Sequence, residues 1–284
     1  MSRGVSIHIG MNEIDASKYG TKGQLKNCEN DAKAMAALAE SAGFSVGPVL
    51  LSREATRQTV TDALKRAAAD LSAGDMLLLT YAGHGSQVPD KNGDEPDAKD
   101  ETWVLYDRQY VDDELYQAYS KFDKDVRILI LSDSCHSGTV ARELPLLIDD
   151  SELERTFDTS DPSDVRERVR ALPSEAQLYN YERDQEVYDG IQRDLPAGDQ
   201  QELSADIMLI SGCQDNQTSS DGSGVNGLFT ETLLKTWRNG GFQGTYKTLY
   251  RQIVDQMPPY QTPNLYRVGA TNGDAFADQR PFTV

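Results

Sequence analysis

Two short turns place a histidine and a cysteine where they could act together on a carbonyl group. Residues 82–86 read Ala-Gly-His-Gly-Ser and carry His84, and residues 133–138 read Asp-Ser-Cys-His-Ser-Gly and carry Cys135. A thiolate attacks a carbonyl carbon far better than a thiol does, and a neighbouring imidazole can accept the thiol proton. We therefore predict nucleophilic catalysis with Cys135 as the nucleophile and His84 as its base.

The same two turns offer hydrogen-bond donors for the oxyanion that such an attack creates. The backbone N–H groups of Gly85 and Cys135 lie in turns with little side-chain obstruction. Each turn directly follows a continuous apolar run, and the carboxyl ends of parallel strands meet at one edge of a sheet. We therefore expect the two turns to face each other across that edge.

The other cysteines and histidines have simpler interpretations. His136 adjoins the nucleophile, but consecutive side chains of an extended chain point in opposite directions, which favours His84 as the base. His8 lies within a strand-like run and is interpreted as structural, and Cys28 and Cys213 are compatible with small core residues. The absence of CxxC and HxxxH spacings argues against a metal site built from these residues.

Apolar runs that alternate with amphipathic segments predict the elements that position these turns. The candidate strands are Val5–Ile9, Val46–Leu51, Met76–Tyr81, Val126–Ser132 and Ile207–Ser211. The candidate helices are Asn30–Ala42, Thr56–Leu71, Gly227–Trp237 and Tyr246–Met257. Continuous apolar strands between helices predict an α/β fold with a mainly parallel central sheet and helices on both faces.

Two segments interrupt this alternation. Residues 88–102 are acidic and rich in turn-forming residues, and their EF-hand-like spacing has Glu95 where the calcium loop requires glycine. We interpret them as a solvated acidic loop. Residues 143–204 are polar and contain several arginines, over a length that is unusual for a loop inside a compact domain. They form either a surface insert with marginal helices or a flexible linker between two halves.

Composition restricts the partners and the compartment. The 284 residues include 46 acidic and 28 basic side chains, and the formal net charge of −18 repels nucleic acid and anionic membranes while attracting cationic substrates. No apolar run approaches the roughly 20 residues of a membrane span, and the first residues enter a strand-like run directly. Three cysteines without framework spacing indicate reduced thiols, so we expect a cytoplasmic protein.

The two motifs resemble the histidine and cysteine motifs of metacaspases, especially those of the bacterial orthocaspases. The matching stretches are residues 81–87 and 133–138, with supporting matches at 25–31, 211–215, 217–219 and 226–230. The resemblance implies a caspase-like fold in one domain. Its parts are a p20-like catalytic part at residues 1–142, a linker or insert at 143–204 and a p10-like part at 205–284.

The resemblance also implies a preference for Arg or Lys before the cleaved bond, because metacaspases bind this side chain in an acidic pocket. The residues carried over to that pocket are Cys28, Asp31, Ala82 and Asp133, with Asp215 as a weaker candidate that is equally explained as a turn residue. Ala82 stands where many relatives have serine. Paired carboxylates suit a guanidinium, and Asp133 lies two residues before the nucleophile. A helix cap or a helix-dipole partner is the alternative role for Asp31.

Many metacaspases need calcium, and the family's site would correspond to Asp100, Asp112, Asp113 and the position seven residues after the nucleophile. In this chain that last position is Arg142, a cation in place of a carboxylate. Losing one ligand and adding a positive charge should weaken calcium binding severely. We therefore expect activity that requires no cofactor.

These features together predict a cysteine endopeptidase of the metacaspase type that cuts proteins or peptides after Arg or Lys. Arginines in residues 143–204 suit the same pocket, so cleavage there, by the chain itself or by an upstream protease, would activate a zymogen. An uncleaved surface insert is the alternative. Two other functions are open: a Cys–His amidase or acyltransferase on the same scaffold, and an inactive caspase-like scaffold that binds partners.

Overall fold

A six-stranded sheet forms the centre of the chain. The computed structural model describes residues 2–93, 98–134, 169–196, 202–213, 219–222, 224–269 and 273–284. The central strands are β1 (Gly4–Gly10), β2 (Ser45–Leu51), β3 (Met76–Ala82), β7 (Arg127–Asp133), β8 (Asp206–Ser211) and β9 (Asn264–Gly269). Their order is β2-β1-β3-β7-β8-β9, and every pair is parallel except β8 with β9. The predicted mainly parallel sheet is confirmed, with one antiparallel edge strand that the sequence pattern did not indicate.

Helices connect the strands. Those of the described chain are α1 (Ala16–Tyr19), α2 (Cys28–Ser41), α3 (Arg57–Asp70), α4 (Asp112–Tyr119), α5 (Ser174–Asp194), α6 (Leu228–Trp237), α7 (Tyr246–Val254) and α8 (Gly273–Ala277), with short 3-10 helices at Ser52–Glu54 and Arg238–Gly240. The four predicted helices are present as α2, α3, α6 and α7. Thr56 begins α3 as its N-cap, because its side chain accepts a hydrogen bond from the N–H of Thr59 at 3.2 Å.

The two faces of the sheet are covered by different helices. Leu77 and Leu79 of β3 belong to a core that includes Leu64 of α3, while Met76 and Leu78 belong to a second core that includes Met35 of α2. Successive residues of a strand point to opposite faces, so a strand covered on both faces is mostly apolar along its length. Burying each such side chain stabilises the fold by roughly 1.5–3 kcal/mol. The continuous apolar runs thus reflect the helices on both faces.

A second sheet occupies much of the segment interpreted as a solvated loop. Its strands β4 (Gly85–Pro89), β5 (Lys99–Val104) and β6 (Gln109–Val111) are antiparallel neighbours. Val88 and Thr102 are buried, with exposed fractions of 1% and 2%. The loop interpretation was wrong for both ends of residues 88–102, because the acidic residues between them dominate the composition of the segment.

Residues 169–194 are neither a plain surface insert nor a plain linker. Leu172 is fully buried in the core beneath α3, and the 21-residue helix α5 contacts β4. The buried face of α5 includes polar residues: Asn180 accepts hydrogen bonds from Gln109 at 2.8 Å and from the Tyr188 hydroxyl at 2.6 Å. A helix buried through polar contacts has no apolar stripe, so its amphipathic pattern is weak.

The described helices also bear on the membrane question. Across this part of the chain, no helix combines the length and the apolar character that a membrane span requires.

Candidate active site

His84 lies in the turn that follows β3, and a backbone carbonyl fixes its ring. Nε2 lies 3.0 Å from the carbonyl oxygen of Gly23, and Nδ1 makes no hydrogen bond to any described residue. A carbonyl oxygen only accepts, so Nε2 carries the proton and donates it. Gly23 has a φ of +49°, and a Cβ there would approach His84 Cδ2 to 3.3 Å. Glycine therefore suits position 23, whose carbonyl oxygen orients the imidazole.

The surroundings of His84 keep its ring neutral. Burial lowers the pKa of His84 to about 4, while the hydrogen bond that the ring donates to the Gly23 carbonyl acts in the opposite direction. A neutral ring protonated at Nε2 has a free lone pair on Nδ1. His84 is thus in the form that can accept a proton.

The turns after β3 and β7 lie side by side, as the parallel register requires. Ala82 pairs with Asp133, and the N–H of Gly83 donates to the Asp133 carbonyl at 3.4 Å. Ser134, the residue before the predicted nucleophile, is fully buried, and its hydroxyl lies 3.0 Å from that of Ser132. Cys135 itself lies outside the described residues, as do His136, Arg142 and Asp215.

Three carboxylates converge on one buried guanidinium beside this turn. Nη2 of Arg170 lies 2.6 Å from Asp31 Oδ2 and 2.8 Å from Asp221 Oδ1, and Nη1 lies 2.8 Å from Asp133 Oδ2. Arg170 is 0% exposed, and none of the three aspartates exceeds 2%. Two of the predicted pocket residues, Asp31 and Asp133, are thus brought together, and a third carboxylate joins them.

Each carboxylate is also held by the protein around it. Asp31 Oδ1 accepts from the Gly227 N–H and from Asn226 Nδ2, both at 2.9 Å. Asp133 accepts from the hydroxyls of Ser219 and Thr230. Asp31 does have a capping role, but it caps the start of α6 through Gly227 rather than its own helix.

Asp221 crosslinks the pocket to the start of α2. It accepts hydrogen bonds from the backbone N–H groups of Lys26 at 2.6 Å and Asn27 at 3.1 Å. The Cys28 thiol lies 3.6 Å from Asp221 Oδ1, and burial raises the pKa of that thiol well above its usual value. Cys28 and Ala82 pack together in a small buried cluster. Both predicted pocket residues therefore line the site as neutral groups.

Charges within the pocket perturb one another strongly. Burial raises the pKa of Asp31 to about 6, the guanidinium of Arg170 lowers it, and the nearby Asp133 raises it. Burial disfavours the charged form of Arg170, but the surrounding carboxylates hold its pKa well above its usual value. The pocket therefore favours a cation, and an empty pocket would bring carboxylates together without a counter-charge.

The backbone around Arg170 is extended and hydrogen-bonded on both sides. The N–H of Arg170 donates to the Ser219 carbonyl at 3.0 Å, and its carbonyl accepts from the Gly85 N–H at 2.9 Å. The N–H of Leu172 donates to the Gly85 carbonyl at 2.9 Å. The N–H of Gly85, the predicted oxyanion donor, therefore donates a hydrogen bond to the backbone carbonyl of Arg170, the residue whose guanidinium is buried among the three aspartates.

Several residues of this site were missed at the sequence level. Asp221 follows a supporting match of the resemblance but carries no local signal of its own, and Gly23 is one of 22 glycines. Arg170 is one of several arginines in its segment, and nothing nearby in the sequence distinguishes it. Buried Gln261 orders the loop that carries Asp221, since its side chain bonds Ser220 N at 3.0 Å and Ser219 Oγ at 2.9 Å.

The candidate calcium ligands Asp112 and Asp113 accept hydrogen bonds from neighbouring groups, and Asp100 is buried in β5. Asp113 Oδ2 accepts a hydrogen bond from Asn92 Nδ2 at 3.1 Å, and Asp112 Oδ1 accepts from the Asp113 N–H at 2.9 Å. No group of three or more His, Cys, Asp or Glu side chains in the described ranges is arranged to hold a metal ion. The fourth position, Arg142, is not described.

Nearly the whole chain matches a known family. The chain matches the family model of the caspase domain over residues 3–272 and therefore belongs to the caspase-domain family. Among curated relatives, metacaspase-1 of Schizosaccharomyces pombe is 29% identical over 92% of this chain and 62% of its own length. Metacaspase-1 of Ajellomyces capsulatus is 26% identical over 86% of this chain and 74% of its own length. The predicted resemblance to metacaspases is confirmed, and the chain spans less than two thirds of the S. pombe protein.

Solved structures agree with this assignment. Protein GSU0716 from Geobacter sulfurreducens superposes with a TM-score of 0.84 at 43% identity, covering 99% of both chains. Caspase-1 from Spodoptera frugiperda superposes with a TM-score of 0.54 at 13% identity, over 94% of this chain and 86% of that one. The second similarity concerns the fold alone, and the predicted caspase-like fold is confirmed.

Proposed function

We propose that the chain is a cysteine endopeptidase that cleaves proteins or peptides after Arg or Lys. The observation that carries the proposal is the pocket of Asp31, Asp133 and Asp221, which holds the guanidinium of Arg170. The backbone carbonyl of the same arginine accepts a hydrogen bond from the N–H of Gly85, the residue that follows His84. A substrate arginine bound in this way would present its carbonyl carbon to the residue after Ser134, which is Cys135.

The chemical steps follow from these positions. The Cys135 sulfur attacks the carbonyl carbon, and Nδ1 of His84 takes the thiol proton. The Gly85 N–H stabilises the oxyanion, together with the N–H of Cys135. His84 then protonates the leaving amine, the C–N bond breaks, and water hydrolyses the resulting thioester. The Gly23 carbonyl holds the ring in the required tautomer throughout.

Pocket geometry favours arginine over lysine. The Arg170 guanidinium uses Nη1 for Asp133 and Nη2 for both Asp31 and Asp221, so two separate nitrogens share the three carboxylates. Lysine ends in a single ammonium nitrogen, a compact point charge that cannot reproduce this fork. We expect both residues to be accepted and arginine to be preferred.

We propose further that activity does not depend on calcium. Arg142 replaces a carboxylate of the family's site, and Asp112 and Asp113 already accept hydrogen bonds from neighbouring groups. Addition of calcium after chelation should leave peptide hydrolysis essentially unchanged, whereas a large stimulation would contradict this proposal. An Arg142→Asp variant is the matched test, because it restores the missing carboxylate and should become calcium-responsive.

The decisive experiment uses fluorogenic peptides that differ only in the residue before the reporter. Arg and Lys peptides should be hydrolysed and the Asp peptide should not. Cys135→Ala and His84→Ala should each reduce kcat by at least about 10³-fold, in line with the loss of a catalytic nucleophile or base.

The matched control for the base is His8→Asn, which removes another buried histidine on the neighbouring strand. His8 Nδ1 lies 2.9 Å from the Thr80 hydroxyl, and His8 lies within β1 rather than in a turn after a strand. This variant should keep its activity if it folds. Cleavage only after Asp, or full activity in Cys135→Ala, would contradict the proposed function.

A further inference from the structure

Trp103 on β5 contacts the residues that lead into both turns of the candidate active site. Its ring stacks on Tyr81, and its indole N–H donates a hydrogen bond to the Ser132 hydroxyl at 3.1 Å. We propose that Trp103 is a positioning residue, which holds the turns of His84 and Cys135 at the separation that proton transfer between them requires. The inference rests on the proposed function and adds a residue that acts through its neighbours.

The Tyr81 hydroxyl holds the histidine turn. It donates a hydrogen bond to the His84 carbonyl at 2.7 Å and accepts one from the Val104 N–H at 3.1 Å. A Cβ on Gly83 would come within 2.6 Å of the same hydroxyl, so the turn closes directly over the phenol. Tyr81 is 1% exposed and packs in the core, where a ring moves only together with its neighbours. The position of the His84 backbone therefore follows the position of the Tyr81 ring.

Two serine hydroxyls hold the cysteine turn. An indole N–H only donates, so the Ser132 hydroxyl accepts the hydrogen bond from Trp103. The Ser132 hydroxyl also lies 3.0 Å from that of Ser134, and both serines are buried. The Cys213 thiol donates to the Ser134 carbonyl at 3.4 Å. Ser134 directly precedes Cys135, so these contacts fix the residue from which the chain continues to the nucleophile.

The indole ring joins these two groups of contacts. The centroids of the Tyr81 and Trp103 rings are 4.6 Å apart, and the ring planes differ by 5°. Tyr81 and Ser132 are paired neighbours on β3 and β7, so the indole covers one strand with its face and reaches the next with its N–H. A parallel stack and a directed hydrogen bond restrict the ring in different directions. A shift of either turn would therefore disturb a contact to Trp103.

Packing alone does not account for the indole N–H. Trp103 lies in the main core, but apolar burial of a ring needs only an aromatic residue and makes no use of a donor. The chain has a second tryptophan, Trp237, which is also 4% exposed and whose Nε1 has no hydrogen-bond partner among the described residues. Exchange of each tryptophan for phenylalanine therefore separates the loss of packing from the loss of the N–H bond.

Proton transfer from a thiol to an imidazole depends steeply on the distance between them. A misplacement of about 1 Å can reduce a catalytic rate about 100-fold. Loss of the indole hydrogen bond should therefore lower kcat by about 10- to 100-fold. KM should change by less than about threefold, because Asp31 and Asp221 of the pocket are held by other groups, the N–H of Gly227 and the N–H of Lys26.

The test compares Trp103→Phe, Ser132→Ala and their double variant with the wild type. Phenylalanine keeps an aromatic ring for the stack and lacks the N–H, and alanine removes the acceptor of the same bond. Trp237→Phe is the matched control. One measurement is the hydrolysis of an Arg peptide, with kcat and KM determined separately. The other is the pH dependence of Cys135 alkylation by iodoacetamide, followed by mass spectrometry, because this reaction needs the thiolate but not the specificity pocket.

The expected results identify the hydrogen bond as the link. Both single variants should lose about 10- to 100-fold in kcat at nearly unchanged KM. The double variant should be no slower than the slower single variant, because both substitutions break one bond. The alkylation midpoint should move to higher pH, toward the value of about 8.5 of a free thiol, because a displaced imidazole accepts the thiol proton less readily. Trp237→Phe should match the wild type in kcat, KM and alkylation.

Contrary results have different meanings. Wild-type kcat and a wild-type alkylation midpoint in folded Trp103→Phe and Ser132→Ala would overturn the inference and leave the proposed function standing. An equal loss of kcat in Trp237→Phe would also overturn it, since general loosening of the core would then explain the effect. Failure of the wild type to hydrolyse any Arg or Lys peptide would refute the proposed function, and the alkylation profiles would still decide the inference. If circular dichroism shows that Trp103→Phe does not fold, Ser132→Ala decides alone.

Discussion

Three buried carboxylates around a single guanidinium are favourable only while the cation is present. Removing one partner of a buried ion pair typically costs about 3–5 kcal/mol, because the remaining charge is left uncompensated. In this pocket the remaining charges would be Asp31, Asp133 and Asp221, all nearly inaccessible to solvent. At the scale of single residues, the pocket is thus stable only with a cation in it, and in this structure Arg170 supplies that cation.

Asp221 allows a direct test of whether the pocket carboxylates bind the basic side chain of a substrate. Asp221→Asn should raise KM for an Arg peptide by about 10- to 100-fold, because a hydrogen bond between charged groups contributes about 1.5–3 kcal/mol. The Arg-over-Lys preference should shrink, since Asp221 shares Nη2 with Asp31. Steady-state kinetics of the wild type and of Asp221→Asn, with an Arg peptide and a Lys peptide, measures both KM and the preference.

The control for this prediction is Asp206→Asn. Asp206 lies at the opposite end of its strand, and burial raises its pKa, so the substitution also neutralises a perturbed carboxyl. An unchanged KM in Asp221→Asn would show that this carboxylate does not contact the substrate.

Residue-level features of the site were only partly visible in the sequence. His84 and Gly85 were predicted from a short motif that follows an apolar strand, and Asp31 and Asp133 were predicted from the resemblance to metacaspases. Asp221 did not follow, since it becomes a pocket residue only when its loop docks on the backbone of Lys26 and Asn27, almost 200 positions away. A tertiary contact of this kind leaves no local pattern.

At the scale of elements, polar contacts attach helix α5 to the rest of the fold. Its hydrogen bonds through Asn180 join Gln109 on β6 and Tyr188 on its own later turn. Asn180 also donates to the Lys18 carbonyl at 3.1 Å, which ties the helix to α1. One buried amide thus links three elements.

Asn180→Ala should therefore loosen the whole helix. The substitution leaves buried donors unsatisfied, which should lower the free energy of unfolding by about 2 kcal/mol and Tm by about 4–8 °C. Hydrogen exchange should increase across residues 174–194. The control is Gln185→Ala, an exposed side chain on the same helix whose loss should change Tm by less than about 1 °C. Equal effects of the two substitutions would contradict a specific role for the buried network.

The sequence predicted the helices and strands whose buried side chains are apolar and missed helix α5, whose buried face includes polar side chains. Five strands and four helices followed from runs such as Met76–Tyr81, because helices cover both faces of the sheet. Helix α5 escaped because its buried face includes Asn180 and Gln192 while Leu178 and Val187 are exposed. Strand β9 escaped because an edge strand needs no continuous apolar run.

At the scale of the whole molecule, the net charge of −18 creates a field that attracts cationic chains. The pocket combines residues that are far apart in sequence, since Asp31 comes from α2, Asp133 from the end of β7 and Asp221 from the segment after β8. The proposed pocket therefore forms only when α2, β7 and the segment after β8 have come together.

The charge predicts a salt dependence that differs between substrates. For an Arg peptide with flanking lysines, kcat/KM should fall about three- to tenfold between about 20 mM and about 500 mM NaCl, because salt screens the long-range attraction. The same Arg peptide with flanking glutamates should show no such fall. Identical salt dependence for the two peptides would show that the net charge of the protein does not influence how fast the enzyme and the peptide associate.

Asp31 uses one oxygen for the guanidinium and the other for Asn226 and for the first turn of α6. Any attempt to redesign this chain for acidic or neutral substrates would have to replace a part of its scaffold at the same time as a part of its recognition surface. Changes of specificity are therefore coupled to loss of stability at this position. Directed evolution toward a new preference should begin at Ala82, which makes no side-chain hydrogen bond, and needs a stabilised parent before Asp31 or Asp221 is altered, because the Asp221 carboxylate also holds the backbone of Lys26 and Asn27.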